Sequence, residues 1–288
     1  MAYLTEEKQK LLQEKAREIR ETIIHSLVAA GSGHTAGPLG MADIFTVFYF
    51  HVLNHDPKNP EWEDRDRLIL SNGHITPVRY AAMAHAGYFP VEECLTLRKL
   101  GSRLQGHPER EKLPGVETTS GPLGSGLSQA SGIAYGLRMD AHGRHPMSAI
   151  SPRVYCFMSD GELQEGNTWE GAMFAGANRL HNLTAIIDRN NIQITGNTED
   201  IMPVEPLADK FKAFNWHVIE VDGHNMEEVA DAVEQAKAIA EKPTVIIAHT
   251  IPGKGVKEIE GNFLWHGISP KKEQEESFIE QIREAAKR

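Results

Sequence analysis

Two cysteines, Cys94 and Cys156, are all the thiol chemistry that 288 residues carry. They are too few and too far apart for a disulfide framework or a cysteine-type zinc site. Cys156 sits within an apolar stretch and reads as a small core residue. No apolar run approaches membrane-spanning length. The opening, MAYLTEEKQK, lacks the hydrophobic centre of a signal peptide, so the expected setting is reducing and cytoplasmic. Positive charge is in the minority. Lysine and arginine number 30 against 40 aspartates and glutamates, a net charge of −10, which argues against a general nucleic-acid or acidic-membrane binder. Internal repeats, low-complexity tracts and linker-like stretches are also missing. What remains is a chain with 40% hydrophobic residues, 25 glycines and 14 histidines, able to bury a substantial core.

Periodicity gives a coarse map. Leu12, Ala16, Ile19, Ile23 and Leu27 form one apolar stripe, which predicts a helix over 5–30 with Thr5 as its cap and Gly31 as its stop. A second helix is expected from Leu39 to His51, with Pro38 in its first turn. Arg67–Leu70 reads as a short strand, followed by helices near Pro77–Ala86 and Val91–Leu97. The glycine-rich run Thr118–Gly126 opens a helix, Leu127–Asp140, and so offers unpaired amides to an anion. Later come strands at Trp216–Val221 and Thr244–Ala248, a helix capped by Asn225 with Glu228 three residues on, and a charged helix from Ser269 to Lys287. Strands alternating with helices predict a doubly wound, mainly parallel α/β sheet with helices on both faces, in one domain spanning 1–288.

The densest chemistry lies between Arg153 and Gly196. A strand, Val154–Met158, turns sharply at Ser159-Asp160-Gly161. A helical segment, Leu163–Arg179, leads to a second strand, Leu183–Asp188, with Asn190 and Asn191 just beyond. Parallel strands end on the same side, so Asp160 and Asn190 can meet although thirty positions separate them. A carboxylate and an amide oxygen together form part of a hard-oxygen site suited to Mg²⁺, which keeps its other positions for water and phosphate oxygens. Gly161 leaves room for backbone to approach an anion. An isolated Asp-Gly pair is ordinarily just a turn; the spacing and the Asn-Asn pair favour the metal–diphosphate site.

Four histidines stand apart from the rest: His34, His74, His107 and His266 each adjoin a glycine in a loop. Their spacing offers no helical pair of zinc ligands. Gly31-Ser32-Gly33-His34-Thr35-Ala36 mimics a dinucleotide fingerprint, but a helix rather than a strand precedes it, which excludes that match.

Taken together these motifs resemble the transketolase family. Asp160-Gly161 followed by Asn190 resembles its thiamine diphosphate motif, with Ser159 in place of the first glycine. Ser32-Gly33-His34 before Gly37–Gly40, Gly73-His74, Gly106-His107-Pro108-Glu109, Gly121-Pro122-Leu123-Gly124 and His266-Gly267 resemble its remaining motifs, across nearly the whole chain. Thr35-Ala36 and Ile75-Thr76 depart from the family pattern at places that bear on donor preference. The resemblance implies thiamine diphosphate and Mg²⁺ (Ca²⁺ or Mn²⁺ can substitute), and transfer of a two-carbon ketol unit from a ketose phosphate to an aldose phosphate, with the cofactor as electron sink. It implies that Asp160, Asn190 and the Ile192 carbonyl hold the metal. Gly161, Glu162, His74 and His266 fall to the diphosphate region, and Gly121 and Leu123 to the aminopyrimidine. His34, His107 and His266 face the sugar oxygens. Glu165 and Glu170 resemble carboxylates at the family's subunit interface, Glu165 being the one with a catalytic role.

Family members continue into a pyrimidine-binding domain and a C-terminal domain, and the glutamate that activates the cofactor belongs to the former. The expectation is therefore an N-terminal subunit of a split transketolase, working with a separate C-terminal subunit in a heterotetramer. The Met1 start and charged ending fit a natural subunit and a truncated chain alike. Two alternatives stay open: the α subunit of a two-chain thiamine-dependent 2-oxoacid dehydrogenase, and a non-catalytic partner-binding scaffold.

Overall fold

A computed structural model describes residues 4–143 and 152–287; Met1 and the final residue lie outside them. In chain order the elements are α1 (Glu6–Ala30), α2 (Ala36–Gly40), α3 (Ala42–Val47), β1 (Arg67–Leu70), α4 (Thr76–His85), α5 (Ser125–Gly143), β2 (Val154–Ser159), α6 (Gly166–Ala177), β3 (Leu183–Arg189), β4 (Ile192–Gln193), β5 (Gly196–Asn197), α7 (Thr198–Ile201), α8 (Leu207–Ala213), β6 (His217–Asp222), α9 (Met226–Ala238), β7 (Thr244–His249) and α10 (Glu275–Ala285). Five strands form one parallel sheet in the order β1-β2-β3-β7-β6. The chain steps outward from β1 to β3, jumps to the far edge at β6, and returns to insert β7 beside β3. Ligands of such sheets collect outside the carboxyl ends of the strands, near the reversal.

Every residue of β2 and β3 is buried. Side chains of a strand alternate between faces, and here the alternation separates two cores. Tyr155, Phe157, Ile186 and Ile246 join α1, α3, α4, α9 and α10 on one face. Val154, Cys156, Met158, Ile187 and Ile247 join Leu127, Ala172, Phe211 and Trp216 on the other. Phe157 stands edge-on to both Phe45 and Phe48, at ring separations of 4.9 and 4.8 Å, a geometry aromatic quadrupoles favour. The sheet is thus doubly wound, as the alternation of elements predicts.

Caps behave as their chemistry requires. The Thr5 hydroxyl accepts from the Lys8 amide, and Gly31 closes α1 at φ 64°. Asn225 accepts from the amides of Glu227 and Glu228, and its own amide donates to Glu228. The differences lie where local signals are weak. The expected helix Leu39–His51 is three pieces, α2, α3 and a π-helical turn over Phe48–Val52. The segment Leu163–Arg179 divides into a 3₁₀ turn, Gly161–Gln164, and α6. Val91–Thr96 is also 3₁₀. Strand β6 starts at His217, while Trp216 turns inward and donates its indole N–H to the Ala172 carbonyl at 2.9 Å.

Candidate active site at the carboxyl edge of the sheet

Strand register sets the first pair of residues. Ser159 of β2 lies opposite Asp188 of β3, so the next residues, Asp160 and Arg189, also face each other. The Asp160 amide donates to the Asp188 carbonyl at 3.2 Å. Ser159 is the last residue of an extended strand and is not left-handed; serine therefore serves where the motif has glycine. At Gly161 an added Cβ would meet Gln193 at an ordinary 3.5 Å. The protein itself does not demand glycine there.

Asp160 is fully buried. Its Oδ1 accepts from the Gly161 amide at 2.7 Å and the Thr198 hydroxyl at 3.4 Å; its Oδ2 accepts from the Asn191 amide at 2.7 Å and Arg189 at 2.8 Å. Burial holds its proton affinity above the ordinary carboxylate range, with Arg189 and the Asn191 and Gly161 amides pulling the other way. The Asn190 amide donates to Asp188 at 2.8 Å, leaving its oxygen to accept from the Ile192 amide at 3.0 Å. Asn191 takes the left-handed conformation at φ 63°, which asparagine tolerates, and turns the chain into the β4–β5 hairpin. Asp160, Asn190 and Ile192 thus converge on one turn.

The histidines arrive from different elements. His34 lies in the loop between α1 and α2, His74 just past β1, and His266 at the end of the long segment after β7. Their rings meet: centroids lie 4.9 Å apart for His34–His74, 5.1 Å for His74–His266 and 5.5 Å for His34–His266. His107 is the outer member, with its ring 3.8 Å from where a Gly121 Cβ would sit. It opens onto a polar cavity of about 570 Å³ that is also lined by Arg98, Glu109 and Ser120. Burial lowers the proton affinity of all four. His34 falls to about 4, first through burial and then through His266, His107 and Arg98. Neutral imidazoles are the outcome at neutral pH, able to donate and accept.

Residues without motif status hold these groups in place. The Thr35 hydroxyl donates to the Ile268 carbonyl at 2.6 Å, tying the His34 loop to the His266 segment. That segment is anchored at its root. The Gly253 amide donates to Ala36, the Ile251 amide to His224 Nε2, and Thr250 to Asp188. His224 Nδ1 in turn faces Asp43 at 2.8 Å, so the ring carries its proton on Nδ1. The Nδ1 partner of His224, Asp43, lies in α3, distant in sequence.

The glycine-rich loop crosses the same edge. Gly124 has φ +83°, and a Cβ there would come within 2.6 Å of Glu165 Cβ, so only glycine fits. Gly121 and the half-exposed Leu123 lie on the loop's outer side. Glu162 points inward and is buried; the Gly124 amide donates to its Oε1 at 2.7 Å and the Ser159 amide to its Oε2 at 3.2 Å. Glu165, which caps the start of α6, and Glu170 within it are solvent-exposed. The His34 Nδ1, both polar atoms of the Asn72 amide and the Ser120 hydroxyl are buried without a hydrogen-bond partner among the described residues. Orphan groups of this kind call for a polar occupant. With the oxygen donors of Asp160, Asn190 and Ile192 they fit a magnesium–diphosphate group. Among the described residues no cluster of three His, Cys, Asp or Glu side chains forms an alternative metal site.

A doubly wound parallel sheet with polar loops gathered at its carboxyl edge defines an α/β protein built to hold an anionic cofactor. Residues 12–285 match the family model for the transketolase thiamine diphosphate-binding domain, and the chain belongs to that family. It is 42% identical to the 6-deoxy-6-sulfo-D-fructose transketolase subunit SqwG of Clostridium sp. (strain MSTE9), covering 89% of this chain and 90% of that one. Rat transketolase is 39% identical over 96% of this chain, but the match spans only 43% of the rat enzyme. Among solved structures, transketolase from Campylobacter jejuni superposes with a TM-score of 0.88 at 37% identity, over 96% of this chain and 43% of that one. The chain thus corresponds to less than half of a full-length transketolase. No helix among the described residues is long and apolar enough to cross a membrane.

Proposed function

We propose that this chain is the N-terminal subunit of a two-polypeptide transketolase. It would bind thiamine diphosphate through Mg²⁺ and transfer a two-carbon ketol unit between sugar phosphates. The observation that carries this reading is the meeting of the His34, His74 and His266 rings at the sheet edge that also bears the Asp160–Asn190 turn. Asp160, Asn190 and the Ile192 carbonyl would hold the metal, and His74 and Gly161 would border the diphosphate. Gly121 and Leu123 offer backbone groups to the aminopyrimidine. When bound, the cofactor supplies the electron sink that C–C cleavage needs.

The protein's own share is positioning and proton movement. His34, His107 and His266, neutral at physiological pH, can donate to a ketose carbonyl or hydroxyl oxygen and accept a proton in return. His34 and His266 are half-buried, which strengthens their hydrogen bonds, whereas His107 is exposed to the cavity. Glu165 stands where two such subunits would meet and link paired sites.

A separate C-terminal subunit is supported by the lengths of the relatives. The match to a clostridial subunit covers nine tenths of both chains, while full-length enzymes are matched over 43%. A heterotetramer in the cytoplasm is the assembly we infer. That relative's name also makes a sulfonated ketose a donor to test beside the phosphates. The decisive assay is ketol transfer from xylulose 5-phosphate with thiamine diphosphate and Mg²⁺. The chain alone should be inactive and should gain activity with the polypeptide that supplies the missing pyrimidine-binding half. Turnover by the isolated chain would reject the split-subunit reading. Oxidative turnover of pyruvate by the pair would support the dehydrogenase instead.

A further inference from the structure

Glu162 is 1% exposed, and both of its carboxylate oxygens are taken by the chain itself. Oε1 accepts from the Ser71 hydroxyl at the end of β1 and from the Gly124 amide in the glycine-rich loop; Oε2 accepts from the Ser159 amide at the end of β2. The Ser71 oxygen, having donated its proton, accepts from the Gly126 amide at 3.0 Å. One carboxylate therefore joins two strand ends to the turn that follows Leu123 and, through Ser71, to the first turn of α5. It lies two positions from Asp160, so it also connects the metal turn to the loop. At 1% exposure the carboxylate faces the chain's own donors rather than open space.

We propose that Glu162 is a positioning residue. It clamps the Gly121–Gly126 loop across the ends of β1 and β2 and so shapes the aminopyrimidine side of the cofactor site without touching the cofactor. The proposal rests on the cofactor reading above for its consequence, but the clamp itself is a property of this chain alone. A charged acceptor suits the task. Hydrogen bonds to carboxylate are the strong ones, and an unpaired buried carboxylate would be costly. The loop needs such a clamp because Gly124 has no side chain to anchor it, and its neighbour Leu123 is half exposed.

The test is site-resolved amide hydrogen exchange on the full chain, comparing wild type, Glu162→Gln and Glu162→Ala. In the wild type the Gly124 and Gly126 amides should be protected like those of β2. In Glu162→Ala both should exchange about tenfold faster or more, the loss expected for a charge-assisted bond, while Ile246 in β7 stays within about twofold. Glu162→Gln keeps an oxygen for Ser71 and Gly124 but turns an amide N–H toward Ser159. Ser159 should then exchange faster while Gly124 is largely retained. Unprotected Gly124 in the wild type, or equal acceleration throughout the sheet, would overturn the clamp; the wild-type result decides even if both variants fail to fold.

Ligand binding supplies the second arm. With Mg²⁺ present, Glu162→Ala should weaken thiamine diphosphate by about tenfold and leave inorganic pyrophosphate unchanged. Equal weakening of both would contradict a role specific to the loop. If the wild-type chain bound neither, the cofactor reading would fail, and hydrogen exchange would still decide the clamp.

Discussion

Arg189 donates to Asp160 at 2.8 Å from the neighbouring strand, and the same guanidinium reaches Glu199 at 2.7 Å and Glu205 at 3.0 Å. Asp160 is fully buried, whereas the two glutamates are partly exposed. A divalent ion on Asp160 can therefore take the shared oxygen while the glutamates retain the arginine. Arg189→Met should lower stability by about 3–5 kcal/mol, because it strands a buried carboxylate. Urea unfolding should show a lower midpoint with an unchanged slope, and Mg²⁺ should restore more stability to the variant than it adds to the wild type. A loss below about 1 kcal/mol, the range of surface pairs, would contradict the buried-pair account.

His34 gives a pH signature. Its folded value is near 4, against 6.5 for the free side chain. Unfolded protein therefore binds the extra proton first. The contribution of this residue is complete above pH 6.5 and is lost as pH falls toward 4. Removing the imidazole in His34→Gln should flatten the decline of melting temperature between pH 6.5 and 4 relative to wild type. An NMR titration should show the His34 ring still neutral at pH 6. Protonation near 6.5 would contradict the burial argument.

Asp188 works in the opposite sense. Burial raises it to about 7, opposed by the Thr250 hydroxyl and the Asn190 amide. Folded Asp188 holds its proton beyond the pH at which the unfolded chain has lost it, so its contribution is full below about pH 4 and is lost as pH rises through 7. Thr250→Val removes a donor to the ionised form. The variant should lose about 1–3 kcal/mol at pH 8 and clearly less at pH 5. Equal losses at both values would contradict the assignment.

Much of the fold was legible because its signals are local and repeated. The stripe of Leu12, Ile19 and Ile23 announces α1, and the apolar runs of β2 and β3 announce buried parallel strands. The positions of Asp160 and Asn190 at strand ends follow from those runs. Other parts depend on distant partners. The β4–β5 hairpin, α7 and α8 were not foreseen. They are two, four and seven residues long, too short for periodicity to register. The four histidines could be singled out by their glycines, but their meeting depends on loops from four parts of the chain. Asn72 and Ser120 lie within motif stretches but had no reading of their own, and Arg189 and Thr250 left no local trace. Their importance comes from burial and from partners that only the folded chain supplies.

Packing on the two faces of the sheet can be tested separately from the site. Phe157 fills the junction between Phe45 and Phe48. Phe157→Ala should cost about 3–5 kcal/mol by transfer and cavity terms together. Guanidinium unfolding measures it, and a cost below about 2 kcal/mol would mean that the α3 side of the core relaxes to fill the space.

The central claim is that Asp160 and Asn190 gather a divalent ion and, with it, a diphosphate at one strand-end turn. Phosphorus-31 NMR of thiamine diphosphate, titrated with the full chain, addresses it most directly because weak binding still broadens the resonances. The account predicts broadening of both diphosphate signals only when Mg²⁺ is present, and its loss in Asp160→Ala and Asn190→Ala variants that remain folded. Binding that persists without Mg²⁺, or is untouched by removing Asp160, would contradict it.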